Sequence, residues 1–304
     1  MSRSLVECVP NFSEGRDPAK LDAIVAAIAS AGVSVLDRHM DSDHHRSVVT
    51  FAGPPEAVAE AAVRGVSQAV ELIDLTTHRG VHPRMGAADV VPFIPLEGTT
   101  LAECARLAAG AGEEIWRRCG VPVYLYEAAA RRPERRGLEN IRRAQFEGLR
   151  EEVPRNPERA PDIGAARLHP TAGATAVGAR KILIAFNINL ATGDIEVARR
   201  IAHAVRASSG GLPCVKAMGV MLSSRGQAQV SMNLTDYEIT SPIRVFDEVA
   251  RLAAQAGVEI AGSEFVGLVP EKALTGISPA ELGCENFHDG IILEARLGNP
   301  LAQG

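Results

Sequence analysis

The chain has no run of 18 apolar residues, because its most hydrophobic stretches are cut short by proline, glycine or charge, and so no segment reads as a membrane-crossing helix. Nor does it have an excess of positive charge. With 32 Lys and Arg against 37 Asp and Glu, the formal charge is -5 and the signs are interspersed, which leaves no basic footprint for nucleic acid. Cysteine is sparse: Cys8, Cys104, Cys119, Cys214 and Cys284 are scattered, odd in number and never form a C-x-x-C pair, as suits reduced and mostly buried thiols. No G-x-G-x-x-G follows a strand and no Walker lysine motif occurs, so a nucleotide cofactor is not indicated, and no H-E-x-x-H is present to nominate a metal. The opening "MSRSLVECVPNFSEG" does not read as a signal peptide. A cytoplasmic protein acting on small molecules is the expectation.

The 304 residues, 46% of them hydrophobic, are enough to bury a substantial core in one large domain or two smaller ones. "LVECVPNF" reads as a strand ended by Pro10 and Asn11. Asp17 can cap a following helix with Pro18 in its first turn; Leu21, Ile24, Val25 and Ile28 give that helix one apolar stripe, and Gly32 permits its stop. "VSVLDRH" and "RSVVTFAG" read as strands about a polar turn, "MDSDHH". A second long helix begins at "PPEAVAEAAV", followed by a strand near "AADVVPFIP", a helix from about Leu101 to Cys119 and the strand "VPVYLY". From Arg131 to about Ala160, "RRPERR" and "EEVPRNPER" read as a solvated connector. A second unit then repeats the first, with "ARKILIAFNINL", a helix, "VKAMGVML", "AQVSMNLTD", a helix and "VEIAGSEFVG". The fold class expected is α/β (α+β): two similar β-α-β-β-α-β ferredoxin-like subdomains, residues 1–177 and 178–304, with mixed sheets, helices on one face and a ligand cleft between them.

Three clusters carry chemistry. In "HRGVHPRMGAADVVPFIPLEG", His78 and His82 stand four apart, but Gly80 and Pro83 oppose a helix, and no second carboxylate or cysteine stands at ligand spacing. The pair therefore reads as an acid-base histidine with a helper near an anionic substrate, or as a satisfied corner at a proline turn. The second cluster, "DRHMDSDHHRS", holds His39, His44, His45 and Arg46 among Asp37, Asp41 and Asp43; it could position a carboxylate or orient the first histidine, or be a solvated hairpin. The third, "GAARLHPTAGATAVGARK", is rich in small residues that let a flat ligand approach backbone amides, or is an interdomain linker.

The strings "LVECVPNFSEG", "RSVVTFAGPPE", "HRGVHPRMGAADVVPFIP", "VPVYLY", "GATAVGARKILIAFNINL", "AQVSMNLTD" and "GLVPEKAL", in this order from about Leu5 to Leu274, resemble the glutamate formiminotransferase family, the N-terminal half of formiminotransferase-cyclodeaminase. The resemblance implies transfer of a formimino group from N-formimino-L-glutamate to N5 of tetrahydrofolate, a step of histidine degradation and one-carbon metabolism, with tetrahydrofolate as co-substrate and no metal. It implies His82 as the catalytic histidine. It also implies folate contacts at Gly164, Ala165, Ala166, Arg167, Leu168, His169, Pro170, Thr171, Ala172 and Gly173, and near Arg206. Where the animal enzymes carry an aspartate assisting the histidine, this sequence has His39, so Asp37, Asp41 or Asp43 would take over, or His82 would work with a neutral partner.

On this reading His82 takes the N5 proton and returns it to the departing glutamate nitrogen, while Arg46, Arg84, Arg180 and Lys181 are candidates for the carboxylates of the two substrates. Nothing in the sequence separates a formimino from a formyl donor. The rival readings are therefore a formyltransferase using N-formylglutamate, a folate-binding protein without turnover and a metal-dependent hydrolase. A separate cyclodeaminase and a possible homodimer are the expected associations; no nucleic acid or membrane partner is expected.

Overall fold

The computed structural model describes residues 4–284 and 287–298. The chain folds as two compact units that meet in sequence between Arg180 and Lys181. In the first, β1 (Val6–Cys8) and β2 (Asn11–Phe12) are followed by α1 (Pro18–Ala29), β3 (Ser34–Asp41), β4 (Arg46–Gly53), α2 (Pro55–Leu72) and β5 (Ala88–Pro95). The unit then continues with α3 (Leu101–Cys119), β6 (Val123–Glu127), α4 (Leu138–Arg142), α5 (Gln145–Glu152) and β7 (Thr175–Ala179). β1 and β2 both lie between β4 and β5, interrupted at Pro10, whose carbonyl accepts from the Val49 amide at 3.1 Å. The sheet order is β3, β4, β1 with β2, β5, β7, β6; β7 runs parallel to both its neighbours and the other pairs are antiparallel.

The second unit contains β8 (Ile184–Leu190), α6 (Ile195–Val205), β9 (Val215–Leu222), β10 (Gln227–Leu234), α7 (Pro242–Gln255) and β11 (Ile260–Val266). Its sheet order is β9, β10, β8, β11, antiparallel at every pair, whereas the first sheet is mixed. The repeat is visible in the topology: β3, β4, β1 with β2, and β5 occupy the same order in the first sheet as β9, β10, β8 and β11 do in the second. Each unit has its own apolar core between sheet and helices. Among the described residues no helix is long and apolar enough to cross a membrane.

Local sequence explains the elements that frame the site. The Asp17 side chain accepts from the Ala19 amide, Pro18 opens α1, and Leu21, Ile24 and Ile28 are buried along one stripe. α3 starts with a capping box between Thr100 and Glu103 and stops at Gly120 in the left-handed region (φ 64°). Along β3, past a bulge between Val35 and Asp37, strand alternation places Asp37, His39 and Asp41 on one face.

The charged stretch from Arg131 to Ala160, expected to lie in solvent, is exposed over much of its length but is fastened to the sheet at Arg135. Arg135 is buried, pairs with Asp162 at 2.6 Å, donates to the carbonyls of Glu158 and Ala160, and lies over the Tyr124 ring with 5.2 Å to its centroid. Asp162 in turn accepts from the Leu125 amide of β6 at 2.9 Å. Charge patterning alone does not distinguish a solvated arginine from one held by carbonyls and a carboxylate. Removing one partner of a buried ion pair strands the other charge, which costs about 3 to 5 kcal/mol. Arg135→Leu is therefore expected to lower the urea midpoint markedly, and adding Asp162→Asn to it is expected to recover part of the loss in the same measurement.

Candidate active site

The turn between β3 and β4 and the segment Leu75–Ala87 come together at one end of the first sheet. Gly80 makes the approach possible, since a Cβ there would lie 2.5 Å from the His44 carbonyl oxygen. His45, itself in the left-handed region (φ 50°), stacks on His78 with ring centroids 4.1 Å apart. The His78 Nε2–H donates to the His45 carbonyl at 2.9 Å and its Nδ1 accepts from Arg84 Nε at 3.2 Å, a pairing that defines one neutral tautomer. Burial is the main cause holding the His78 pKa below its ordinary value. Arg84, a carboxylate-binding candidate, already forks onto Glu147 through contacts of 2.6 and 2.8 Å, and this neighbour holds the Glu147 carboxyl at about 2. His78, His45 and Arg84 thus form the corner that carries Pro83 and His82.

His82 is half-buried, and Arg46 Nη1 donates to its Nε2 at 2.7 Å. Burial first, then Arg46, Arg142 and His44, push the His82 pKa well below the usual imidazole range, so the ring is neutral at physiological pH. Burial and Arg142 also pull the Arg46 guanidinium down to about 10, against the opposing pull of Asp89 and Asp41, which leaves it a cation. Arg142, at the end of α4, pairs with the buried carboxylate of Asp89 on β5; Asp89 also accepts from the Met85 amide at 2.8 Å. Edge-on to His82, with centroids 6.3 Å apart, stands His44. Its Nδ1–H donates to Asp41 at 2.9 Å and its amide to the same carboxylate at 2.8 Å. Burial alone would raise Asp41; the His44 side chain and amide, aided by His39, overcome it and hold Asp41 at about 2.

Of the expected assisting residues, Asp41 reaches the site through His44. Asp37 and His39 share its face of β3, with His39 opposite Val48 on β4. The loop from Gly164 to Gly173 belongs to the same unit and closes on itself, His169 and Gly173 exchanging backbone hydrogen bonds of 2.8 and 3.1 Å. It is tied directly to the segment after His82: the Ala87 amide donates to Ala172 and the Ala174 amide to Met85. Gly173 (φ 72°) is required there, because a Cβ would lie 2.1 Å from the Met85 carbonyl oxygen. Inside the loop, His169 Nδ1 accepts from the Ala172 amide at 3.0 Å, so its proton sits on Nε2.

The remaining expected residues are Arg180, Lys181 and Arg206. Arg180 ends the first unit, its amide donating to the Phe93 carbonyl. Lys181 and Arg206 belong to the second unit, where Lys181 pairs with Asp236 at 2.7 Å and Arg206 Nε donates to Ser209 at 2.7 Å. Arg142 and Asp89 were not anticipated from sequence; a lone aspartate in the apolar run "ADVVPFIP" was the signal that a cation had to meet it. Among the described residues no group of three or more His, Cys, Asp or Glu side chains is arranged to hold a metal ion.

The electrostatics can be read directly by NMR. The His82 ring is expected to stay neutral to well below pH 6.5 in the native protein. Arg46→Gln, which removes a facing cation, is expected to raise its midpoint; a midpoint that does not move would show that Arg46 has no part in the depression.

Comparison with known proteins identifies the family. The model of the formiminotransferase domain, N-terminal subdomain, matches residues 5–180, and that of the formiminotransferase domain matches residues 185–287. The chain is 46% identical to a glutamate formimidoyltransferase of Streptococcus pyogenes serotype M1 over 97% of this chain and 99% of that one. It is 45% identical to a glutamate formimidoyltransferase of Thermoplasma acidophilum over 97% of each. With the formimidoyltransferase-cyclodeaminase of Sus scrofa it shares 45% identity over 92% of its own length but only 52% of the relative's, so it spans about half of that bifunctional protein. Similarity at this level across both units places the chain in the formiminotransferase family.

Proposed function

We propose that the protein is a glutamate formimidoyltransferase, moving the formimino group of N-formimino-L-glutamate to N5 of tetrahydrofolate and releasing L-glutamate. The observation that carries this reading is the near full-length similarity to two proteins of that name. Tetrahydrofolate is a co-substrate, and the chemistry is a transfer between two nitrogens.

The depressed basicity of His82 suits the task. When the N5 lone pair attacks the carbon of the N-protonated formimino group, a C–N5 bond forms, the C=N pair moves onto nitrogen, and N5 becomes an ammonium whose proton is strongly acidic. A weak base is enough to take that proton. The imidazolium so formed is destabilised by Arg46 and Arg142 and is therefore a strong acid, able to deliver the proton to the glutamate nitrogen as the second C–N bond breaks. No amide anion has to leave. The lone pair of Nε2 is engaged by Arg46 in this structure. A substrate carboxylate that draws the Arg46 fork toward itself frees that lone pair, which couples binding to activation of the base.

Arg46, whose partner at this corner is the neutral His82 ring, is the residue we assign to a substrate carboxylate, since Arg84 already holds Glu147 and Arg142 holds Asp89. Arg180 and Lys181 remain candidates for a carboxylate of either substrate and Arg206 for a folate contact, and the loop from Gly164 to Gly173 offers its backbone to the folate beside His82. Asp41 assists through His44: its carboxylate accepts from the His44 Nδ1–H and so orients that ring edge-on to His82. Holding both substrates in one geometry contributes up to about 7 to 11 kcal/mol in well-oriented systems.

The test is a spectrophotometric assay with tetrahydrofolate and N-formimino-L-glutamate, in parallel with N-formyl-L-glutamate, reading methenyltetrahydrofolate after acid treatment. Turnover is expected with the formimino donor. His82→Ala is expected to lower kcat by about two orders of magnitude with little change in reduced-folate affinity. Native turnover in that variant overturns the assignment of His82, and turnover with the formyl donor alone overturns the substrate.

A further inference from the structure

The second unit carries a set of buried amides that the transfer chemistry above does not use. Alternation along β8 turns Phe186, Ile188 and Leu190 into the core with α6 and α7, and sets Asn187 and Asn189 on the opposite face of the sheet. Gln229 on β10 stands opposite Asn189, and Glu264 on β11 opposite Asn187. Asn187, Asn189 and Gln229 are each less than 5% exposed. Most sheet positions this deeply buried are apolar, because an amide placed there forfeits its water hydrogen bonds.

The internal hydrogen bonds define which atoms are left over. Gln229 Nε2 donates to Glu264 Oε1 at 3.1 Å and to Asn189 Oδ1 at 2.9 Å, and Asn187 Nδ2 donates to the same Glu264 oxygen at 3.2 Å. A carboxylate oxygen only accepts, so the Gln229 amino group must face Glu264, its carbonyl must face away, and Asn189 must turn its oxygen toward Gln229. The remainder is a buried donor, Asn189 Nδ2, and a buried acceptor, Gln229 Oε1, neither of which has a partner among the described residues. Glu264 contributes a third group, its Oε2, which accepts from no described residue. The neighbouring surface suits a flat ring. Gly262, opposite Asn189, has no side chain, and Val220 and the 38% exposed Met218 lie opposite Gln229 and Ser231.

We propose that Asn189, Gln229 and Glu264 recognise the 2-amino-4-oxopyrimidine edge of the reduced pterin ring. That edge offers a carbonyl acceptor at C4, a donor at N3 and a donor on the 2-amino group; the protein offers a donor, an acceptor and a carboxylate acceptor. The two patterns are complementary, and a site built from buried polar groups rejects a ligand that leaves them unpaired. The proposal rests on the reading of the protein as a tetrahydrofolate-dependent transferase and adds the residues that read the ring.

The test uses calorimetric titration of the full chain with 5-formyltetrahydrofolate and with its 4-amino-4-deoxy counterpart, in which the C4 acceptor becomes a donor and the N3 donor becomes an acceptor. The native protein is expected to prefer the 4-oxo ligand by about tenfold or more. Asn189→Asp, which replaces the protein's donor with an acceptor of the same shape, is expected to lose about 10- to 100-fold toward the 4-oxo ligand and to narrow or reverse the preference. A folded Asn189→Asp protein with the native preference overturns the proposal. If that variant does not fold, Glu264→Gln is used: it is expected to weaken both ligands by a similar factor, because both keep the 2-amino group, and unchanged affinity overturns the proposal. Native protein that binds neither ligand overturns the functional reading itself, whereas binding without the expected dependence on Asn189 or Glu264 overturns only this inference.

Discussion

A guanidinium held against a neutral imidazole is the constraint around which the first unit is arranged. Arg46 and His82 meet at 2.7 Å in a half-buried setting where a second arginine, Arg142, adds to the positive field. Such an arrangement persists only if carboxylates stand close enough to offset the guanidinium charges without reaching the imidazole itself, since a carboxylate bonded to the ring would make it a strong base. Asp89 and Asp41 do this. Asp89 is taken up by Arg142 and the Met85 amide, and Asp41 by His44. The histidine is left uncharged at physiological pH and acidic once protonated, the combination a proton carrier between two nitrogens requires.

The surrounding chain is organised to keep those distances. His78, Arg84 and Glu147 lock the turn that presents His82, with the imidazole tautomer defined by a donor on one side and an acceptor on the other. The segment after it is stitched to the loop from Gly164 to Gly173 by backbone hydrogen bonds, and Gly173 allows the two strands of chain to lie that close. Behind them, β5 and β7 run parallel, so both segments enter the sheet side by side. The same strand order recurs in the second unit, where the open face of the sheet again carries polar side chains at positions an apolar core would fill.

Much of this was legible in the one-dimensional text, and the parts that were not share a physical reason. The cap at Asp17, the stripe Leu21, Ile24 and Ile28, the hairpin around His44 and the non-helical corner at Pro83 are local, decided within a few residues by hydrogen-bonding geometry and period. Arg142 and Asp89 lie 53 positions apart, and neither spacing nor composition connects them. The charge run from Arg131 was read as solvated because its composition matches a solvated helix; what distinguishes Arg135 within it is the set of carbonyls and the carboxylate that meet its guanidinium. Arg84 was a sound candidate for a substrate carboxylate by residue type, yet Glu147 already occupies its fork.

By itself, the sequence determined the element order, the repeated halves and the family, and it nominated the histidine at position 82, because each is written in short-range pattern or in long matching strings. Only the tertiary structure decided which arginine faces that histidine, that Asp41 reaches it through His44, and that Asn189 and Gln229 are left with one buried donor and one buried acceptor. Those outcomes depend on which strands become neighbours and on which hydrogen-bonding atoms are already used. Strand neighbours and spent hydrogen bonds are properties of the folded arrangement, and no residue carries them alone.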